Sequence, residues 1–290
     1  MQSMAGSGGM AEVPLGPTAG IAATAGSGGF GGTSVSVGSA GQAGMSHPTG
    51  RSIPARPSNG CGREVVSPET SIQVGALRAS YRLDLPQAYD SARAYPVVLA
   101  FREENTSLDA FRAELSLPAA TASEAIVVYP DCLNQAASWD VQRDIGLYEA
   151  LLPKLAADYC IDLDRVFAVG YGSGALFVNA LGCIHPDEVR AIAPLSGAPR
   201  PAGACAGQTA VWMLQDKNDL VLLDASRGNR DFWARQNACD VTMSVPVDPA
   251  PCVEYLGCDT RMPVRYCEYD GAAALPSFAG SAVWDFFSPL

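Results

Sequence analysis

The stretch "VFAVGYGSGALFVNAL" (166–181) contains Gly-Tyr-Gly-Ser-Gly at positions 170–174, the spacing of a turn that carries an acyl-transfer nucleophile. In such a turn, G-x-S-x-G, a serine stands at the centre of a bend between a strand and a helix. The bend is tight enough that only small residues fit two places before and two places after it. Gly170 and Gly174 occupy those flanks, so the centre is Gly172, which has no hydroxyl to offer. Ser173 comes one place late, because its own flanks would be Tyr171 and Ala175, and the bulk of Tyr171 does not suit the bend. Near neutral pH a serine hydroxyl also needs a base within about 3 Å. The two histidines are His47, in a glycine-rich segment, and His185, at the far end of the helix that should follow the bend. From Ser173 to His185 that helix spans roughly 18 Å at 1.5 Å per residue. Lys217 is the remaining partner for Ser173, as a Ser–Lys pair, if the strand before it ends near the bend.

The elements that must position these residues can be read from hydrophobic periodicity. "YPVVLAF", "AIVVYPD", "RVFAVGYG", "VRAIAPLSG" and "TAVWMLQD" are short continuous apolar runs, as expected of strands covered on both faces. "GALRASYRLDLP" (75–86) alternates like a strand with one face in solvent. Helical periods lie between them. In 141–159, Ile145, Tyr148, Leu151, Leu152, Leu155 and Tyr159 share one face, with Pro153 expected to kink the helix. Further helices are expected over 108–123, 175–184, 227–238 and 279–287. Strands alternating with helices imply an α/β fold, a mainly parallel central sheet with helices on both faces, and ligand groups gathered at the carboxyl ends of its strands.

Composition narrows the function classes. A formal charge of −11 without any cluster of Lys and Arg argues against nucleic acid and anionic membrane surfaces as partners. No run reaches the roughly 18 apolar residues that a membrane-spanning helix needs. The nine cysteines all lie beyond residue 60 and lack paired metal-ligand spacing with histidines. Disulfides in an oxidising compartment are therefore expected, with neither metal nor other cofactor, and an odd count leaves one thiol over. Residues 1–58 read as a flexible linker: 14 of the 29 glycines fall in the first 50 positions and Glu12 is the only charge there. The cysteines indicate export, yet no basic, then apolar, leader precedes Arg51. An export or anchoring segment upstream of Met1 would reconcile the two. Residues 59–290 are expected to form the folded domain.

From Cys61 to the C-terminus, some 230 residues, the chain resembles the secreted feruloyl esterases and the related polyhydroxybutyrate depolymerase-like members of the α/β-hydrolase superfamily. The likeness runs in order through "YRLDLPQAYD", "YPVVLAF", "VVYPD", "YCIDLDRVFAVGYGSG", "LGC", "RAIAPLSG", "NDLV", "RDFWARQNAC", "APCVEYLGC", "CEYDG" and "AVWDFFS". It implies a disulfide-stabilised α/β-hydrolase fold and carboxylic ester hydrolysis. Matched position by position, however, the chemistry is depleted. The nucleophile falls on Gly172, the catalytic histidine on Ala273, and a His-Gly pair that helps form the oxyanion hole on Arg102 and Glu103. The acid falls on Asp219, which is kept. Cys132 follows "YPD" where glycine is usual, and is the candidate for the unpaired thiol.

Each of these residues also has a plainer reading. Asp219 is either a relic of the triad or a loop aspartate holding backbone amides. Arg102 and Glu103 either grip a carboxylate-bearing ligand such as a ferulate or uronate, or form a solvated ion pair worth under about 1 kcal/mol. Trp139, like Tyr171, is a candidate binding residue beside the cleft, and packing is the alternative for the tryptophan. Three functions are consistent with the sequence. The first is a degenerate hydrolase domain whose cleft binds cell-wall polysaccharide, a phenolic ester or a protein. The second is an active esterase with an unorthodox nucleophile such as Ser173, and the third is a surface structural domain without a ligand.

Overall fold

The computed structural model describes residues 54–65, 70–197, 203–271 and 274–290. Most of the expected linker, 1–53, lies outside the described residues, as does Ala273. Among the described residues, Arg56 to Ser58 already bond to the folded domain. The Arg56 N–H donates to Asp162 Oδ1 (3.0 Å), Pro57 pairs with Asp162, and the Ser58 hydroxyl donates to the Tyr159 carbonyl (2.7 Å).

All five continuous apolar runs are strands: β3 (Tyr95–Phe101), β4 (Ile126–Pro130), β5 (Ile161–Tyr171), β6 (Ala191–Leu195) and β7 (Ala210–Asp216). They pair in parallel in the order β4-β3-β5-β6-β7. The alternating segment is β2 (Leu77–Asp84), which joins β1 (Ser71–Val74) in a hairpin and runs antiparallel to β4. At the other edge β10 (Val264–Tyr269) adds in parallel to β7, followed by antiparallel β9 (Cys252–Leu256) and β8 (Asp240–Pro246). The sheet thus has ten strands in the order β1-β2-β4-β3-β5-β6-β7-β10-β9-β8.

Helices cover both faces, as side-chain alternation along β3 requires. Val97, Leu99 and Phe101 face one core, shared with α3 (Val141–Asp158), α4 (Ser173–Ile184) and α5 (Leu223–Gln236). Val98 and Ala100 face the other, shared with α1 (Leu108–Leu115) and α6 (Ala279–Phe287), where Phe287 stacks on Phe167 at 4.7 Å. The helix expected over 108–123 divides at Ser116 into α1 and α2 (Leu117–Ala120), because Pro118 has no N–H to continue the first helix and instead opens the second. Pro153 lies inside α3 without ending it. Among the described residues no helix is long and apolar enough to cross a membrane, and no group of His, Cys, Asp and Glu is placed to hold a metal ion.

Eight cysteines pair as Cys61–Cys160, Cys183–Cys205, Cys239–Cys258 and Cys252–Cys267. The ninth, Cys132, is free and buried, as expected from the sequence. Burial pushes its thiol up to about 12, with the nearby Arg102 guanidinium only partly opposing the shift, so it is an inert thiol at neutral pH.

Candidate active site

The carboxyl ends of β3, β5, β6, β7 and β10 converge on one cleft of about 800 Å³. Its floor is the bend expected at Gly172. That residue lies between β5 and α4 with φ +55° and ψ −118°, a conformation strained for any residue with a Cβ. The small flanks have a direct cause. A Cβ on Gly170 would strike the Gly174 carbonyl, and one on Gly174 would strike the Phe101 carbonyl at the end of β3. The sequence spacing therefore located the bend correctly: the centre is a glycine, and Ser173 is the first residue of α4.

Ser173 is buried, with its hydroxyl accepting from the Trp139 N–H at 3.4 Å. Its own N–H donates to Glu104 Oε2 at 2.9 Å, across 69 positions of sequence, and its hydroxyl also reaches that carboxylate. Partial burial alone would raise the Glu104 carboxyl. Hydrogen bonds from its own N–H and from the N–H and hydroxyl of Ser173 outweigh burial and hold it below the usual carboxylate range. Glu104 is the site residue that sequence reasoning missed. Its neighbour Glu103 also lines the cleft and shifts the other way: burial raises its carboxyl, the Thr106 hydroxyl at 2.8 Å opposes the rise, and Glu114 and Glu104 add to it.

Arg102 lies elsewhere than either sequence reading had it. Its guanidinium is buried and donates to Asp131 Oδ1 through Nε (2.9 Å) and Nη2 (2.8 Å). It also donates to the backbone oxygens of Glu103 (2.9 Å), Ala136 (2.8 Å) and Ala137 (3.1 Å). It does not line the cleft and makes no ion pair with Glu103. A buried guanidinium needs a full set of acceptors, and the ends of β3 and β4 with the 132–137 loop supply them. Trp139 borders the cleft but is held in the core. Its indole N–H donates to the Arg102 carbonyl (3.0 Å), and its ring centroid lies 5.0 Å from both Phe101 and Phe177. Tyr171 lines the cleft from β5, and burial beside Glu103 raises its hydroxyl well above the ordinary tyrosine value.

On the far wall, Asp219 Oδ1 accepts from the Val221 (3.2 Å) and Leu222 (3.1 Å) amides while the residue lines the cleft. Asp216, at the end of β7, accepts from the Asn218 N–H (2.9 Å) and the Gly271 N–H (3.2 Å), tying together the loops after β7 and β10. Lys217 does not line the cleft; its ammonium is 2.6 Å from Asp270. The one histidine among the described residues, His185, caps the distal end of α4, 3.3 Å from Glu149. The described cleft therefore has four carboxylates in its wall (Glu103, Glu104, Asp216 and Asp219), no lysine or arginine, and no imidazole. Such a wall can accept hydrogen bonds readily but has no strong base set against a free hydroxyl.

A sharp strand-to-helix bend at the carboxyl edge of a mostly parallel sheet, with an acidic loop after β7, defines the α/β-hydrolase fold. Acetyl xylan esterase from Aspergillus awamori superposes with a TM-score of 0.59 at 12% identity, covering 73% of this chain and 94% of that one. No protein-family model matches the chain. Among curated relatives, feruloyl esterase D of Neurospora crassa is 26% identical over 266 residues, covering 81% of this chain and 91% of that protein. Probable feruloyl esterase C of Aspergillus terreus is 26% identical over 257 residues, covering 80% and 91%. The chain thus has the α/β-hydrolase fold and is feruloyl esterase-like in sequence.

Proposed function

We propose that this esterase-like domain has lost most or all hydrolysis and uses its remnant cleft to bind cell-wall polysaccharide or a phenolic ester, outside the cytosol. The observation that carries the reading is the bend itself: its centre is Gly172, and the amide next to it is taken by Glu104 rather than left for a substrate oxygen. Loss of a nucleophile or base typically lowers turnover about a million-fold, leaving roughly a thousand-fold over water from binding and the oxyanion hole. Here even the oxyanion donor is in use. The ligand class follows from relatives described as feruloyl esterases and from a cleft large enough for a sugar ring or a phenolic group. Four disulfides support an oxidising compartment.

One observation favours a second reading, an esterase with Ser173 as nucleophile: its hydroxyl meets the Glu104 carboxylate, a proton acceptor. A carboxylate held below its ordinary range is a weak base for an alcohol, and a serine inside the first turn of α4 is not raised on the bend. Purified protein assayed on methyl ferulate and p-nitrophenyl acetate beside Ser173→Ala separates the two. Turnover above about 0.1 per second that disappears in the variant would restore the esterase. Retention on insoluble xylan, pectin or cellulose is expected for the binding reading, and failure on all three, with no binding of methyl ferulate, would leave a structural domain without a ligand.

A further inference from the structure

In this fold two backbone N–H groups receive the acyl oxygen that becomes negative during ester cleavage: that of the residue after the bend, and one from the loop after the third strand. In this chain the first is the N–H of Ser173, which donates to Glu104 Oε2 at 2.9 Å. The second loop is the one that carries Glu104 itself, so the carboxylate that takes the Ser173 N–H comes from the other side of the hole. One side chain, carried by the second loop, thus takes the donor of the first. We propose that Glu104 is a tethered anion seated in the oxyanion hole, so that the cleft excludes free carboxylates and takes uncharged, hydroxyl-bearing ligands, neutral glycan chains or intact esters.

The assignment rests on more than the head of a helix. An anion is in place there, delivered from 69 residues away, and it borders the 800 Å³ cleft described above. It fills the space over the bend: a Cβ built on Gly172 would lie 2.8 Å from Glu104 Oε2 and 3.0 Å from Glu103 Cβ. The charge around it is of one sign. Glu103, Asp216 and Asp219 share the wall, and the cations nearest in sequence to the site residues are committed, Arg102 to Asp131 and Lys217 to Asp270. An incoming ferulate or uronate anion would find like charge and an occupied donor. A sugar hydroxyl would instead donate to these carboxylates, with Tyr171 and Leu222 offering apolar surface beside them.

This inference deepens the binding reading and rests on it for the identity of the ligand, but not for the seat of Glu104. Two-dimensional amide NMR on the full chain tests each part. In the unaltered protein the Ser173 amide shift should follow acid titration with a midpoint below 4.5, the ordinary glutamate value. Acetate should leave that resonance in place. In Glu104→Ala, acetate should perturb Ser173 first, with affinity at least tenfold above the unaltered protein, while Glu104→Gln, whose amide oxygen can still accept, should stay near the unaltered protein. Methyl ferulate or xylo-oligosaccharide should bind the unaltered protein at least tenfold more tightly than ferulate anion. A Ser173 amide indifferent to acid, or a folded Glu104→Ala blind to acetate, overturns the assignment. If Glu104→Ala gains acetate but the unaltered protein binds no neutral ligand, the seat of Glu104 is upheld and the binding reading falls.

Discussion

Gly172 and Glu104 act as a pair, the missing side chain of one making room for the carboxylate of the other. Restoring a serine by Gly172→Ser alone should therefore give no esterase. It should cost about 1–3 kcal/mol, because φ +55° is strained for an L residue and the new Cβ crowds Glu103 and Glu104. Combined with Glu104→Ala the cost should fall below the sum of the two, a coupling that thermal or denaturant unfolding of the four proteins would measure. The adjacent glutamates predict opposite pH behaviour. Glu103 binds its proton more tightly folded than unfolded, so its contribution declines as pH rises from 4.5 through its higher folded value. Glu104 is the reverse: its contribution is present above 4.5 and is lost as pH falls through its lower folded value. At pH 7, Glu103→Gln should raise the Tm and Glu104→Gln should lower it, and both differences should shrink toward pH 3. At this scale the glycine spacing made the bend legible in sequence, because tight packing leaves a compositional trace. Glu104 left none: it is an ordinary loop acid whose meaning lies in a contact 69 residues away.

The elements that build the site are held less by the cleft than by one buried ion pair behind it. The Arg102 and Asp131 side chains, 6% and 18% exposed, join the ends of β3 and β4 to the 132–137 loop, and the indole of Trp139 docks on the Arg102 carbonyl. Asp131→Ala would leave a guanidinium buried without its counter-charge, at a cost of about 3–5 kcal/mol in urea unfolding. A loss below about 1 kcal/mol would mean the backbone carbonyls suffice. Sequence periodicity found the five central strands β3 to β7 because continuous apolar runs are what two-sided burial demands. It missed β1, β8, β9 and β10, and β8 and β10 for different reasons. β8 is exposed along almost its whole length, so it carries no alternation to read. In β10, Arg265 and Glu268 interrupt the apolar run. Their charges are met from outside the strand, by Glu254 on β9 at 2.6 Å and by Arg227 on α5 at 2.7 Å.

For the whole molecule, an α/β sheet with helices on both faces was legible, whereas strand order and disulfide pairing were not, since both are facts of long-range contact. The pairing shows how the domain is closed. Cys61–Cys160 spans 99 residues and fastens the segment at Arg56–Ser58 to the start of β5, where the other links are hydrogen bonds and the Arg56–Asp164 ion pair. Cys252–Cys267 spans 15 residues and joins two strands, β9 and β10, that are already paired at those positions. If a disulfide acts chiefly by restricting the unfolded chain, its effect grows with the loop it closes, to about 4–5 kcal/mol for the longer loop and about 3 kcal/mol for the shorter. Removing the pair by Cys61→Ser with Cys160→Ser should therefore lower stability more than Cys252→Ser with Cys267→Ser, by about 1–2 kcal/mol in denaturant unfolding. The reverse order would show that strand pairing at the β9 edge, rather than chain entropy, sets the stability of this domain.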